Sequence, residues 1–199
     1  MADSPPSYSV KETAALAGMS ERVIRNEIER GVIRVARRPR NSRAAVALPK
    51  GALLYFRLLR DMPVRLPRGD RSDLYRLLSG DRQTAGSWRL ERGTLKRGIL
   101  MLDAKAVRTD LDRDLRAYEA GRRKAVSDPD TLGGEPVFAG TRIAIRHIGR
   151  LALRGIPAAE IKADYPALSA ADIDFAAVFA RMKPAPGRPA KLKVRREAA

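Results

Sequence analysis

Apolar and polar positions alternate along this chain in two rhythms, helical at both ends and strand-like in the middle. Ser9-Val10-Lys11-Glu12 has the form of a capping box, in which a serine side chain and a glutamate three residues on exchange backbone bonds. Small and apolar residues Ala14, Ala15 and Leu16 continue the helix, and Gly18 stops it with a left-handed backbone. Ser20 is placed to cap a second helix ending at Gly31, with Val23, Ile24 and Ile28 on one face and Glu21, Arg22, Arg25, Asn26 and Arg30 on the other. Val32-Ile33 and Val46-Ala47-Leu48 read as two strands joined by a turn at Pro39-Arg40-Asn41-Ser42. Leu53, Leu54, Phe56, Leu58 and Leu59 predict a helix over 50–60, and Asp73 to Leu78 one or two further turns.

In the middle, Trp88-Arg89-Leu90 and 98–102 read as strands around Arg92-Gly93-Thr94. Asp103 then caps a helix with Val107, Leu111, Leu115 and Tyr118 in one stripe. That stripe packs either inside the subunit or as the contact of a homodimer. Trp88 is expected in the core or an interface. From 126 onward a Gly-rich turn and the short apolar pair Val137-Phe138 precede three helices. The first presents Ile145, Ile148, Gly149, Leu151 and Ala152, and the second spans 158–163. The third is capped by Ser169 and turns Ile173, Ala176, Ala177, Phe179 and Ala180 inward. The fold class is therefore mainly α with short β hairpins. A winged helix-turn-helix fills 1–80, a β hairpin plus helix 81–125, and a trihelical, helix-turn-helix-like domain 126–182. A basic tail, 183–199, is expected to be disordered alone.

Charge decides which end faces nucleic acid. Forty Lys and Arg stand against 23 Asp and Glu, a net +17 over 199 residues. Residues 1–80 carry +8, 81–125 carry +5, 126–180 carry −2 and 181–199 carry +6. A surplus of this size favours a polyanionic partner. Two helices joined by a three-residue turn give the helix-turn-helix geometry, in which the second helix enters the major groove. Arg22 and Arg25 have the donors to pair with guanine or phosphate, and Asn26 those to pair with adenine. Arg34, Arg37, Arg38, Arg40 and Arg43 place five guanidiniums in ten residues, as a wing along the phosphate backbone would. Ser20, Arg22, Arg25, Asn26 and these five arginines are the candidate DNA-binding residues.

No cysteine is present, which excludes disulfides and thiolate chemistry and fits a cytoplasmic chain. No apolar run is long enough to span a membrane, and the polar opening Met-Ala-Asp-Ser-Pro-Pro is unlike a secretory signal. A single histidine, His147, reads as a surface or packing residue. With no phosphate loop, metal-ligand cluster or nucleophile constellation, neither an enzyme nor a cofactor is expected. Asp128 and Asp130, beside a Gly-rich turn, are expected to bond backbone amides. Only 5 % of residues are aromatic, which argues against a reader of single strands.

The most specific stretch is Asp128-Pro129-x-x-x-Gly133-Gly134-x-Pro136, then Gly140-Thr141-Arg142-Ile143, Gly155-Ile156 and Tyr165-Pro166-x-Leu168-Ser169. It resembles the bacterial antitoxin domain known as domain of unknown function 433. Tyr8 to Leu48 is similar to the winged helix of excisionase and MerR-type regulators. The order of the two resembles VapB-like antitoxins of type II toxin–antitoxin systems, whose partners are PIN-like ribonucleases. That resemblance implies an autorepressor that binds double-stranded operator DNA as a homodimer and neutralises such a toxin. The alternative is an autonomous MerR/excisionase-like transcriptional regulator without a toxin. The third helix of the 126–182 unit begins with Asp172 and Asp174, carboxylates that would repel phosphate, so this unit is expected to bind protein. Arg142 either ties the turn to Asp128 or Asp130 or contacts the toxin. The resemblance further implies that Arg188 enters the acidic metal site of the nuclease; otherwise the tail touches DNA.

Overall fold

The computed structural model describes residues 7–35, 46–80, 86, 88–129 and 132–182. Strand β1 (Ser7–Tyr8) leads into α1 (Val10–Ala17) and α2 (Glu21–Glu29); β2 (Leu48–Pro49) leads into α3 (Lys50–Asp61) and α4 (Arg68–Leu78). The capping box is formed: Glu12 N donates to Ser9 Oγ at 3.2 Å, and Ser9 N to Glu12 Oε2 at 2.7 Å. Gly18 adopts φ 70°, and a Cβ there would meet the Arg60 guanidinium. The last carbonyls of α1 find partners across the fold. Arg57 donates Nε and Nη2 to Leu16 O at 3.0 and 2.8 Å, and Arg60 Nη1 donates to Ala17 O at 3.0 Å. Two cations of α3 thus sit at the negative end of α1 and fix where its turn begins.

The expected pairing of 32–33 with 46–48 is replaced by another. Tyr8 pairs antiparallel with Leu48, and Ser7 with Pro49. Val32 and Ile33 bend into the core instead, 2 % and 1 % exposed. Their side chains are worth more buried between helices than alternating on a hairpin. Val35, half-buried, still packs against the core, and Leu48 is fully buried. A wing between these anchors, with Arg37, Arg38, Arg40 and Arg43, lies outside the described residues.

The middle segment forms three strands rather than two. β3 (Arg89–Glu91), β4 (Thr94–Arg97) and β5 (Leu100–Asp103) make an antiparallel sheet in the order β3-β4-β5. Arg92 (φ 48°) and Gly93 (φ 90°) both have positive φ, the condition of a tight type I′ hairpin; β4 forms where a connection was expected, and a second turn takes Gly98-Ile99, the first two residues of the run 98–102. Trp88 is a core residue, 1 % exposed, donating Nε1 to Asp70 O at 3.0 Å. Asp103 caps α5 (Ala104–Lys124) through Ala106 N at 2.9 Å.

Helix α5 passes without a linker into β6 (Ala125–Val126), which pairs antiparallel with β7 (Val137–Phe138). Then follow α6 (Ile145–Leu153), α7 (Ala158–Asp164) and α8 (Ala170–Met182). The stripe of α5 is used inside the chain: Leu111, Leu115 and Tyr118 are buried between α3 and α8. Helix α8 lies against α6, α5 and α1. Two glycines allow those approaches. A Cβ on Gly121 would strike the Phe175 ring, and one on Gly149 would strike the Ala176 carbonyl. One hydrophobic cluster accordingly runs from Tyr8 to Phe179, so the first and last helices share a core.

Candidate nucleic-acid interface

Helix α2 is built with one face fastened and one face bare. Ile24 is fully buried, while Val23 and Ile28 are half-buried. Between them sits Glu27, 4 % exposed, which the apolar pattern does not foresee. Its carboxylate accepts the Tyr55 hydroxyl at 2.7 Å and lies 3.4 Å from Arg71 Nε. Burial, then the bond to Glu27, pushes the Tyr55 phenol well above its ordinary range. This buried acid holds α2 to α3 and α4 in a fixed rotation, because leaving it unpaired would be costly.

That rotation turns Arg22 and Arg25 to solvent and leaves Asn26 half-exposed. Ser20 is exposed and caps the helix, accepting Val23 N at 3.4 Å. Arg25 Nη2 lies 3.3 Å from Glu21 Oε2, with both side chains open to water. Such an i,i+4 pair is worth only about 0.3–0.5 kcal/mol and yields readily to a better anion. Arg34 is exposed between buried Ile33 and half-buried Val35. Among the candidate DNA-binding residues, then, Ser20, Arg22, Arg25, Asn26 and Arg34 share the accessible side of one short helix and its exit.

Three further cations surround the start of α2. Lys11 of α1, Arg60 of α3 and Arg181 of α8 line one open cleft of about 510 Å³ together with Gly18, Ser20 and Glu21. Arg181 Nη1 donates to Ala15 O at 3.5 Å. Sequence reasoning does not bring Arg181 here, because it lies 166 residues from its partner and only the packing of α8 on α1 joins them.

Of the two carboxylates expected to repel phosphate at the start of the third C-terminal helix, Asp174 is exposed and Asp172 is buried. Asp172 is not a surface charge: it is 5 % exposed, accepts Ser169 N at 2.9 Å and the Ser169 hydroxyl at 2.7 Å, and pairs with Lys124 Nζ at 2.8 Å. Burial opposes its ionisation, but the bonds from Lys124 and Ser169 outweigh that and lower its pKa. Helix α8 buries Ile173, Phe175, Ala176, Phe179 and Ala180 in the core.

The glycine-rich turn faces outward. Gly133, Gly134 and Gly140 all take positive φ, and Thr141 Oγ1 bonds both ways, donating to Phe138 O at 2.8 Å and accepting Ile143 N at 3.1 Å. Arg142 is exposed and lines a concavity of about 390 Å³ with Val126, Asp128 and Phe138. His147 Nε2 and the Tyr165 hydroxyl are 2.9 Å apart, tying α6 to the segment before α8. Arg188 and Asp130 lie outside the described residues.

Residues 126–180 match the model of a family described as a protein of unknown function, DUF433. The chain is also similar to a protein described as uncharacterized protein y4eO from Sinorhizobium fredii (strain NBRC 101917 / NGR234). The two are 29 % identical over 98 residues, which cover 49 % of this chain and 44 % of that protein. The matched stretch is thus less than half of the relative's own length. No solved structure matches the chain. Among the described residues, no helix is long and apolar enough to cross a membrane.

Proposed function

We propose that this chain is a double-stranded DNA-binding repressor of the antitoxin class, reading its own promoter through α2. The observation that carries the DNA reading is the accessible row Arg22, Arg25 and Asn26, on a helix whose start is fixed by Gly18 and Ser20 and whose rotation is fixed by buried Glu27. A net charge of +17 supplies the sequence-independent attraction that such a short helix needs. The antitoxin reading rests on the family match over 126–180 and on the resemblance of the domain order to VapB-like proteins. In it, the exposed turn bearing Arg142 meets a PIN-like ribonuclease, whose clustered carboxylates suit a guanidinium. Homodimerisation would pair two α2 helices on half-sites one helical turn apart.

One observation favours the alternative, an autonomous regulator without a toxin. Helix α8 spends its apolar face on α1, α5 and α6, which makes the C-terminal unit part of the DNA reader's own core. Co-expression with the product of any small adjacent nuclease gene separates the readings. An antitoxin co-purifies with that protein and restores growth. A chain that does neither, yet shifts its own upstream DNA, is an autonomous regulator.

A further inference from the structure

Two cations meet at the corner between α1 and α2 with no acid to neutralise them among the described residues. Lys11 of α1 and Arg181 of α8 are both exposed, and they line one open cleft with Ser20, the cap of α2, and Glu21, its first residue. Arg60, on the same cleft, is already engaged. Its Nε and Nη2 donate to Asp61 at 2.6 and 2.9 Å, and its Nη1 to Ala17 O at 3.0 Å. Lys11, by contrast, makes no hydrogen bond or ion pair among the described residues. Arg181 has only the 3.5 Å bond from Nη1 to Ala15 O, which leaves most of its guanidinium donors unused.

The cleft adjoins the accessible row of α2. Its one acid among the described residues, Glu21, pairs with Arg25 at 3.3 Å, so the Arg25 guanidinium lies at the edge of the cleft. A duplex whose major groove receives α2 carries its sugar–phosphate backbone past that helix and across α1. We propose that the cleft holds a backbone phosphate of the duplex that α2 reads, with Lys11 and Arg181 as its ligands. This rests on the DNA reading of α2. Arg181 offers a forked pair of donors to the phosphate oxygens, and Lys11 a point charge. Arg60 keeps the corner in shape by holding Ala17 O, and glycine at position 18 leaves room for its guanidinium. The C-terminal unit thus enters the DNA contact through the last turn of α8. A phosphate held there fixes the register of α2 in the groove, whereas Arg22, Arg25 and Asn26 supply sequence preference.

The test uses the full-length chain and three double variants. Lys11→Gln with Arg181→Gln removes the two ligands. Arg150→Gln with Lys162→Gln removes the same charge from exposed positions of α6 and α7 that do not line the cleft. Arg25→Ala with Asn26→Ala removes the base readers. Each is titrated with a duplex of the chain's own upstream sequence and with an unrelated duplex, from about 50 to 200 mM salt. The cleft variant is expected to bind both duplexes on the order of tenfold more weakly, with a salt slope shallower by about one and an unchanged preference. The charge-matched control is expected to stay close to the parent. A neutral methylphosphonate, placed in turn at each backbone position of the upstream duplex, is expected to weaken the parent at a position where it does not weaken the cleft variant further. Lys11→Gln alone removes no contact among the described residues, so it carries the test if Arg181→Gln lowers the melting temperature. Unchanged affinity in the cleft variant, or a loss no greater than that of the control, overturns the phosphate site. So does a cleft variant as sensitive as the parent to every methylphosphonate. In each of those cases a loss of preference in the Arg25 and Asn26 variant still upholds the reading of α2. If preference survives that variant, the reading of α2 falls and the phosphate site with it.

Discussion

Glu12, in the first turn of the first helix, accepts a hydrogen bond from the hydroxyl of Tyr118 at 2.7 Å, linking residues 106 positions apart. The same carboxylate closes the capping box of α1 and lies 3.6 Å from Arg122. One turn away, the Tyr8 hydroxyl donates to Glu119 Oε1 at 2.7 Å. Helix α5, which supports the C-terminal unit, thereby grips the start of the α1–α2 pair. Replacing Tyr118 by Phe removes a bond to a charged acceptor and should cost roughly 1.5–3 kcal/mol. Urea unfolding of the two proteins measures it, and equal midpoints would show that the bond contributes nothing.

Acid should weaken the fold through the same contacts. Burial opposes the ionisation of Glu12, but the bonds from Tyr118 and Ser9, with Arg122 nearby, outweigh it and hold its pKa below the ordinary 4.5. Asp172 is likewise held below 3.8 by Lys124 and Ser169 against its own burial. A carboxylate whose folded pKa is depressed stabilises the fold above its unfolded pKa, and that stability is lost as pH falls through the folded value. Melting temperature should therefore fall steeply below about pH 4.5. The fall should be shallower in Glu12→Gln and in Asp172→Asn, both of which begin from a lower stability at pH 7. Parallel profiles for all three proteins would contradict this assignment.

Close helix packing makes two glycines intolerant of a methyl group. Gly149→Ala puts a Cβ into the Ala176 carbonyl, which cannot move without shifting α8, and Gly121→Ala puts one into the Phe175 ring. Overpacking of this kind typically costs about 1–3 kcal/mol. Gly149→Ala should be the worse of the two, since its obstacle is backbone. Thermal melts showing either variant at or above the parent would mean that α8 sits further from α5 and α6.

Arg142 offers a test of the proposed protein-binding face that folding does not confuse. Its side chain is exposed, so Arg142→Glu should leave the melting temperature within a degree or two. It should weaken capture of an acidic-site ribonuclease on co-expression, with DNA affinity unchanged. A variant that still captures the nuclease fully would remove Arg142 from that contact.

Local signals were legible in the sequence and distant ones were not. The capping residues Ser9, Ser20, Asp103 and Ser169 were readable because a cap joins residues three apart. The same holds for Gly18 as the stop of α1. The stripe Leu111, Leu115 and Tyr118 was readable as buried, yet its partner was not, since nothing local says that α3 and α8 receive it. The pairing of β2 with β1 was missed because Val32-Ile33 has the composition of a strand; only the competition for core space sends it elsewhere. Glu27 was hidden because a buried acid on an apolar face depends on Tyr55 and Arg71, 28 and 44 positions away. The exposed row of α2 was legible from helical spacing alone. The cations that Arg60 and Arg181 add beside it required the fold.

The most direct test of a DNA-reading α2 is fluorescence anisotropy of the full chain against two labelled duplexes at about 100 mM salt. One is taken from upstream of its own gene, and the other is an unrelated sequence of equal length. A reading helix gives tighter binding to the first, by a margin that Arg25→Ala with Asn26→Ala reduces by roughly 1–3 kcal/mol. Equal affinity for the two duplexes, unaltered by those substitutions, would contradict it.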